Sequence, residues 1–244
     1  MAGWKQARVV ELEVPQASGI VAIDEGVFLV VDDDRGVCVA YEDGSARLVA
    51  SRDDHPDLRD LEGICRGPDG SAWVLSERTA AVLSLAIVRD GPDLELRAPT
   101  LVAELEHVAR KGNKGWEGIE VAAGHALACH EDRPKRIGVF SLPDLATVTQ
   151  LKLPKRVERA LDDLSDLTVD PHTGRVILLS DESACFAELD VTLRDGAPAA
   201  LTLHEIVELD LRKREKAEGV CFDAHGTLWL VTDGDPHLRA FARG

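Results

Sequence analysis

A chain of 244 residues with 44 acidic and 28 basic side chains carries a formal charge of −16, so it offers phosphate backbones no basic field and excludes nucleic acid as the expected partner. Its 45% hydrophobic content suits a globular protein with a substantial core and excludes disorder. No apolar run reaches the roughly 18 residues of a membrane span, so no membrane partner is expected.

The start, Met1-Ala2-Gly3-Trp4-Lys5-Gln6, lacks an apolar leader segment. Five cysteines (Cys38, Cys65, Cys129, Cys185, Cys221) form no C-x-x-C pair, so reduced thiols in a cytoplasmic protein are expected, not disulfides or a zinc site. Arg8–Val14 reads as a strand, and the chain then organises itself on five triplets: Ser18-Gly19-Ile20, Glu62-Gly63-Ile64, Glu117-Gly118-Ile119, Ser165-Asp166-Leu167 and Glu218-Gly219-Val220. Their leading residues are 44, 55, 48 and 53 residues apart, the period of propeller blades.

Each triplet opens a short apolar run, then a turn rich in Gly, Asp and Pro, then a second apolar run such as Val27–Val31, Ala72–Leu75 or Leu228–Val231. A third strand follows at Val37–Tyr41, Ala81–Ile87, Ile137–Ser141, Cys185–Leu189 and Leu238–Ala242. Four units carry an outer strand, near Ala46–Ala50, Leu94–Leu101, Thr147–Leu153 and Leu201–Leu209. The fifth unit runs out of chain, and Arg8–Val14 supplies its missing strand. The expected fold is all-β, a five-bladed β-propeller whose last blade is closed by the N-terminal strand. As one domain, its blades span residues 15–51, 58–104, 113–154, 162–210 and 215–244 plus 7–14. Thr100–Arg110, Lys155–Asp163 and, by similar charge, Leu209–Ala217 read as short loop helices.

In a propeller the innermost strands line a central channel, so their first residues form a ring: Ser18, Glu62, Glu117, Ser165, Glu218. Three carboxylates about 5 Å apart at an effective dielectric of about 20 repel by about 3 kcal/mol per pair. A bound cation, proton uptake, or hydrogen bonds and salt bridges across the channel would compensate. Oxygen ligands without His or Cys favour a hard ion, Ca²⁺ above all. The second strands end at the same mouth in polar residues 13 to 18 positions after the ring, among them Asp33, Glu77, Arg78, His130, Glu131, Arg133 and Asp181. Asn113, Lys114 and Lys216 stand just before ring positions. Basic groups beside a cation suit an anionic small molecule, and they would equally serve to neutralise the crowded acids.

The motifs Asp60-Leu61-Glu62-Gly63-Ile64, Asn113-Lys114-Gly115-Trp116-Glu117-Gly118, Asp163-Leu164-Ser165-Asp166-Leu167, Leu179-Ser180-Asp181-Glu182-Ser183 and Ala217-Glu218-Gly219-Val220 resemble the repeated motifs of the SdiA-regulated, YjiK-like β-propeller family. The order Ser-Glu-Glu-Ser-Glu also resembles the central calcium site of the soluble calcium-activated nucleotidases (apyrases). That likeness implies Ser18, Glu62, Glu117, Ser165 and Glu218 as calcium ligands. More distantly the pattern is similar to phytase-like esterase and gluconolactonase propellers.

Two functions stay open on the sequence. One is a calcium-dependent hydrolase of a phosphorylated or other anionic small molecule, with Asp181, Glu131 or Asp33 as general base and His130 as acid or base. Arg78, Lys114 and Lys216 would clamp the anion, with Asn113 beside them. The other is a non-catalytic ligand- or protein-binding face over a structural ion, with Glu77, Arg78 and Arg133 contacting the partner. A glycosidase ranks lowest, because four tryptophans and one tyrosine leave few platforms for sugar stacking. Nothing in the residues sets the oligomeric state.

Overall fold

The computed structural model describes residues 3–90, 93–106, 115–131 and 134–244. Strand β1 (Trp4–Glu11) precedes the first blade, which is β2 (Ala17–Asp24), β3 (Val27–Asp32), β4 (Gly36–Tyr41) and β5 (Ala46–Ser51). The second blade has β6 (Leu61–Arg66), β7 (Ala72–Ser76) and β8 (Ala81–Leu85). A side hairpin of β9 (Ile87–Asp90) and β10 (Asp93–Leu96) comes next, and then the outer strand β11 (Thr100–Glu104). The third is β12 (Trp116–Ala122), β13 (His125–His130), β14 (Arg136–Ser141) and β15 (Thr147–Lys152), followed by the helix α1 (Lys155–Ala160). The fourth is β16 (Asp166–Val169), β17 (Val176–Ser180), β18 (Cys185–Arg194) and β19 (Ala197–Glu208). The fifth is β20 (Lys216–Phe222), β21 (Leu228–Asp233) and β22 (His237–Arg243), with β1 as its outermost strand. These five antiparallel sheets form a ring, because β2, β6, β12, β16 and β20 touch one another in cyclic order. The fold is a five-bladed β-propeller.

Burial explains why the second strands are unbroken apolar runs. β7 (AWVLS) and β17 (VILLS) are buried at every position, because each blade is covered on both faces by its neighbours. The outer strands alternate or face solvent, as β15 does. The hydrophobic core is accordingly divided into five clusters, one for each junction between blades. All five cysteines are buried, unpaired and part of these clusters. Each first hairpin closes on a glycine in the left-handed region: Gly26, Gly70, Gly124, Gly174 and Gly226, with φ from 64° to 83°.

Closure of the ring rests on β1. It pairs with β22 from Trp4↔Arg243 to Glu11↔His237. The Trp4 ring lies 5.8 Å from Phe186 of the fourth blade and 6.0 Å from Phe222 of the fifth, under the Arg243 guanidinium at 4.3 Å. Its Nε1 donates to Glu188 at 3.3 Å, so one side chain ties the N-terminal strand to two blades. Arg239, almost fully buried, binds both Gln6 and Glu215.

The helix expected at Thr100–Arg110 is not formed over its described part, residues 107–110 lying outside the described residues. Thr100–Glu104 is the outer strand of the second blade, because pairing with β8 outweighs the helix propensity of its Leu, Ala and Glu. Of the outer strand expected near Leu94–Leu101, Thr100 and Leu101 open β11, whereas Leu94 and Leu96 lie on the return of the β9–β10 hairpin and pack on the junction of the first two blades. Leu209–Ala217 holds no helix, and its last residues begin β20. The helix at Lys155–Ala160 is present, shorter than expected, and is anchored by buried Val157.

Around the axis the inner strands approach too closely for side chains at one level. A Cβ on Gly19 would stand 2.5 Å from the Glu62 carbonyl oxygen, on Gly63 2.7 Å from that of Glu117, and on Gly219 2.8 Å from the Gly19 Cα. The residue just before each of these glycines, and before Gly118, is the extra residue of a β-bulge. Ser18, Glu62, Glu117 and Glu218 are thereby re-aimed at the mouth. Gly63→Ala is expected to cost about 1–3 kcal/mol, because the obstructing atoms are backbone. Gly3→Ala, with open space around it, should be nearly neutral. Urea denaturation midpoints of the two variants check this.

Candidate functional site

The five inner strands run in one direction, so their first residues share one mouth, and the antiparallel second strands return to it. A cavity of about 240 Å³ lies there. Glu62, Glu117, Ser165 and Glu218 line it from the first strands, Glu77, Glu131 and Asp181 from the ends of the second, and Asp163 and Lys216 from the approaches. Among the described residues, seven carboxyl groups thus face one lysine.

Such crowding must be offset. Burial first, then the charges of Asp33, Glu218 and Glu77, pushes Glu62 up to about 9, while the Ser18 hydroxyl pulls it part of the way back. Glu218 rises to about 8 through burial and then Asp181, opposed by Lys216. Glu117 is driven well above the usual carboxylate range by burial and by Glu62, Glu77, Glu131 and Glu218.

Within this mouth the acids form two groups. Glu77, Glu117 and Glu131 each place a carboxylate oxygen within 4.8 Å of the others. Oxygens bound to one Ca²⁺ at about 2.3–2.6 Å are at most about 5 Å apart, so this spacing and the all-oxygen donor set fit a hard divalent cation. The ring glutamates Glu62 and Glu218 do not join Glu117 in such a group among the described residues. Ser165 turns its hydroxyl to the Ala217 carbonyl at 2.7 Å.

The second group is Asp163, Asp181 and Lys216. Asp181 lies 3.6 Å from Lys216 Nζ. Burial, a carboxyl–carboxyl hydrogen bond to Asp163 and the charge of that neighbour together raise Asp181 to about 7, with Lys216 opposing. Asp163 is buried and also binds Ser180 Oγ and the Glu182 N–H. The contact with Asp163 thus favours the protonated form of Asp181 well above the usual carboxylate range. Asp163 escaped the sequence reading, although it stands two residues before Ser165 as Asp60 does before Glu62 and Lys216 before Glu218.

The remaining expected site residues scatter. Asp33 is half-buried, outside the cavity lining, and its pKa is raised by burial and by Asp60, Asp34 and Asp32. His130 is buried in the wall, edge-on to Trp116 at 5.6 Å. Arg78 is largely exposed, 3.7 Å from Asp60, and lines a separate cleft of about 420 Å³. Asn113, Lys114 and Arg133 lie outside the described residues.

The sequence pattern of the SdiA-regulated family matches residues 28–238. The protein belongs to the SdiA-regulated family. Its chain is also similar in fold to a streptogramin B lyase, 11% identical, with 99% of this chain and 98% of that one covered at a TM-score of 0.56. The gluconolactonase XC5397 from Xanthomonas campestris is 15% identical, with 97% and 79% covered at 0.52. Virginiamycin B lyase from Staphylococcus aureus is 15% identical at 0.46, and this chain spans 66% of that longer one. At such identities the likeness is one of fold.

The raised ring carboxyls give this SdiA-regulated propeller a signed pH dependence. Glu62 and Glu218 hold protons in the folded state that the unfolded chain has lost. Their stabilisation is therefore complete below about 4.5 and vanishes as pH rises through about 8 and 9. In chelator the melting temperature is expected to fall between about pH 5 and pH 9, and scanning calorimetry across that range checks it.

Proposed function

We propose that the acid-lined mouth is the site of a calcium-dependent hydrolase acting on a small anionic substrate, such as a phosphoester. The reading rests on one observation. A three-carboxylate group and a hydrogen-bonded Asp163–Asp181 pair with Lys216 face a single cavity of about 240 Å³. That volume is below the roughly 300–1,000 Å³ of sites for whole drug-sized ligands, so it admits the reacting group and leaves the rest of the substrate outside.

Glu77, Glu117 and Glu131 would hold the ion, and its charge would favour loss of the protons that Glu62 and Glu218 otherwise keep. A bound hard cation supplies charge neutralisation and polarises an oxygen of the substrate. Without that neutralisation the ionised carboxyl groups of the mouth would oppose an anion. Lys216 orients the anionic group. Asp181, poised near neutrality, takes a proton from water as the water oxygen attacks, and returns it to the departing oxygen as the ester bond breaks. Asp163 accepts a hydrogen bond from Asp181 once Asp181 carries the proton, and so holds it in place for the return.

A second reading has its own support: Glu77 belongs to the second blade and Glu117 and Glu131 to the third, so an ion there would staple two blades without chemistry. A panel of p-nitrophenyl phosphate, ATP and, prompted by the gluconolactonase likeness, glucono-δ-lactone separates the readings. The hydrolase reading expects turnover in calcium and none in chelator. It also expects Asp181→Asn to lower kcat by about 10²-fold or more while the calcium-dependent rise in melting temperature persists. Calcium-dependent melting with no turnover across the panel would leave only the staple.

A further inference from the structure

At the opposite mouth the inner strands end, and there a cavity of about 700 Å³ lies among residues the acid-lined site does not use. Its walls are mostly apolar. Val121 and Phe222 come from inner strands, while Val191, Leu193 and Pro198 come from the outer pair β18–β19. That pair runs to 10 and 12 residues, and its extension supplies one side of the cavity.

One carboxyl group in this lining is differently placed from the others. Asp170 is taken up by Arg243 at 3.0 Å and by the His172 and Thr173 N–H groups. Asp223 accepts from the Trp229 indole and from the His225 and Thr227 N–H groups of its own turn. Glu120 instead sits on β12, among apolar groups, with the Val121 N–H and the Thr168 hydroxyl each donating at 2.9 Å to a different oxygen. A carboxylate offers about four acceptor positions, so Glu120 keeps capacity for a further donor from the cavity. Burial raises it to about 7 against these bonds and one from the Val169 N–H, and no cation among the described residues opposes that rise. The basic residue of the lining, Arg66, is exposed at the rim.

We propose that this cavity is a second binding site, for a small organic ammonium with an apolar body, its charged head on Glu120 and its body against Val121, Phe222 and Leu193. The volume falls in the usual range for small-molecule sites, and a few placed polar groups on an apolar wall are their usual composition. The acidic balance of the protein, −16, favours cations over anions at such a mouth.

Phenethylamine and its neutral analogue 2-phenylethanol are the probes, titrated by calorimetry at about pH 8, where Glu120 is ionised. The amine should bind about tenfold more tightly than the alcohol, the advantage of a charge-assisted hydrogen bond. Glu120→Gln should remove that preference and leave alcohol binding unchanged. Amide shifts of Val121, Thr168 and Phe222 should move with the amine. Equal affinities in the wild type, a preference kept in Glu120→Gln, or shifts confined to the acid-lined mouth would overturn the proposal. Should Glu120→Gln not fold, Leu193→Ser at the half-exposed wall keeps the test decisive: it must weaken both probes, and unchanged affinities refute the site.

Discussion

The structure depends first on how closely five inner strands can approach one axis. Gly19, Gly63, Gly118 and Gly219 carry no Cβ where a neighbouring strand's backbone would meet it. The strands therefore close to a narrow ring, and whatever stands one residue earlier is forced to the rim. The bulges at those positions turn the preceding side chains toward the mouth. The acid crowding is thus a consequence of ring geometry. Burial, the leading cause of the raised carboxyls, follows from the same closeness.

Away from the axis the forces are apolar and shared. No blade has a core of its own, because each cluster of buried side chains draws on two neighbouring sheets. A blade with one face unpaired would expose an unbroken apolar strand such as Val176–Leu179. Trp4 matters for this reason: it joins the N-terminal strand to aromatic side chains of both flanking blades at the seam.

The repeat of triplets made the five blades and the direction of their inner strands legible, since glycine after a polar residue recurs where the axis is narrow. Antiparallel register then brought Glu77, Glu131 and Asp181 to the same mouth. Which acids meet was not legible, because it depends on how the bulged backbone brings Glu117 within reach of Glu77 and Glu131. The side hairpin was hidden for a similar reason: Leu94-Glu95-Leu96 alternates as any outer strand would, and only its packing on the first blade distinguishes it. Glu120 gave no signal at all, being one glutamate in an apolar run.

The fourth blade breaks the glycine pattern with Asp166, fully enclosed between the two mouths. One of its oxygens accepts from the Val220 N–H at 2.8 Å and the other from Leu167 at 2.7 Å. A Cβ on Gly118 would stand 2.3 Å from it. Beyond burial and these bonds, Asp166 feels the charge of Glu120 on one side and of Glu218 on the other. Asp166 therefore bonds the fourth blade's inner strand to the fifth's at the level where the other four blades carry only glycine. Removing that carboxyl would leave the buried Val220 N–H without its acceptor, so the fourth and fifth blades meet at the axis through a polar bond where the others meet through close backbone alone.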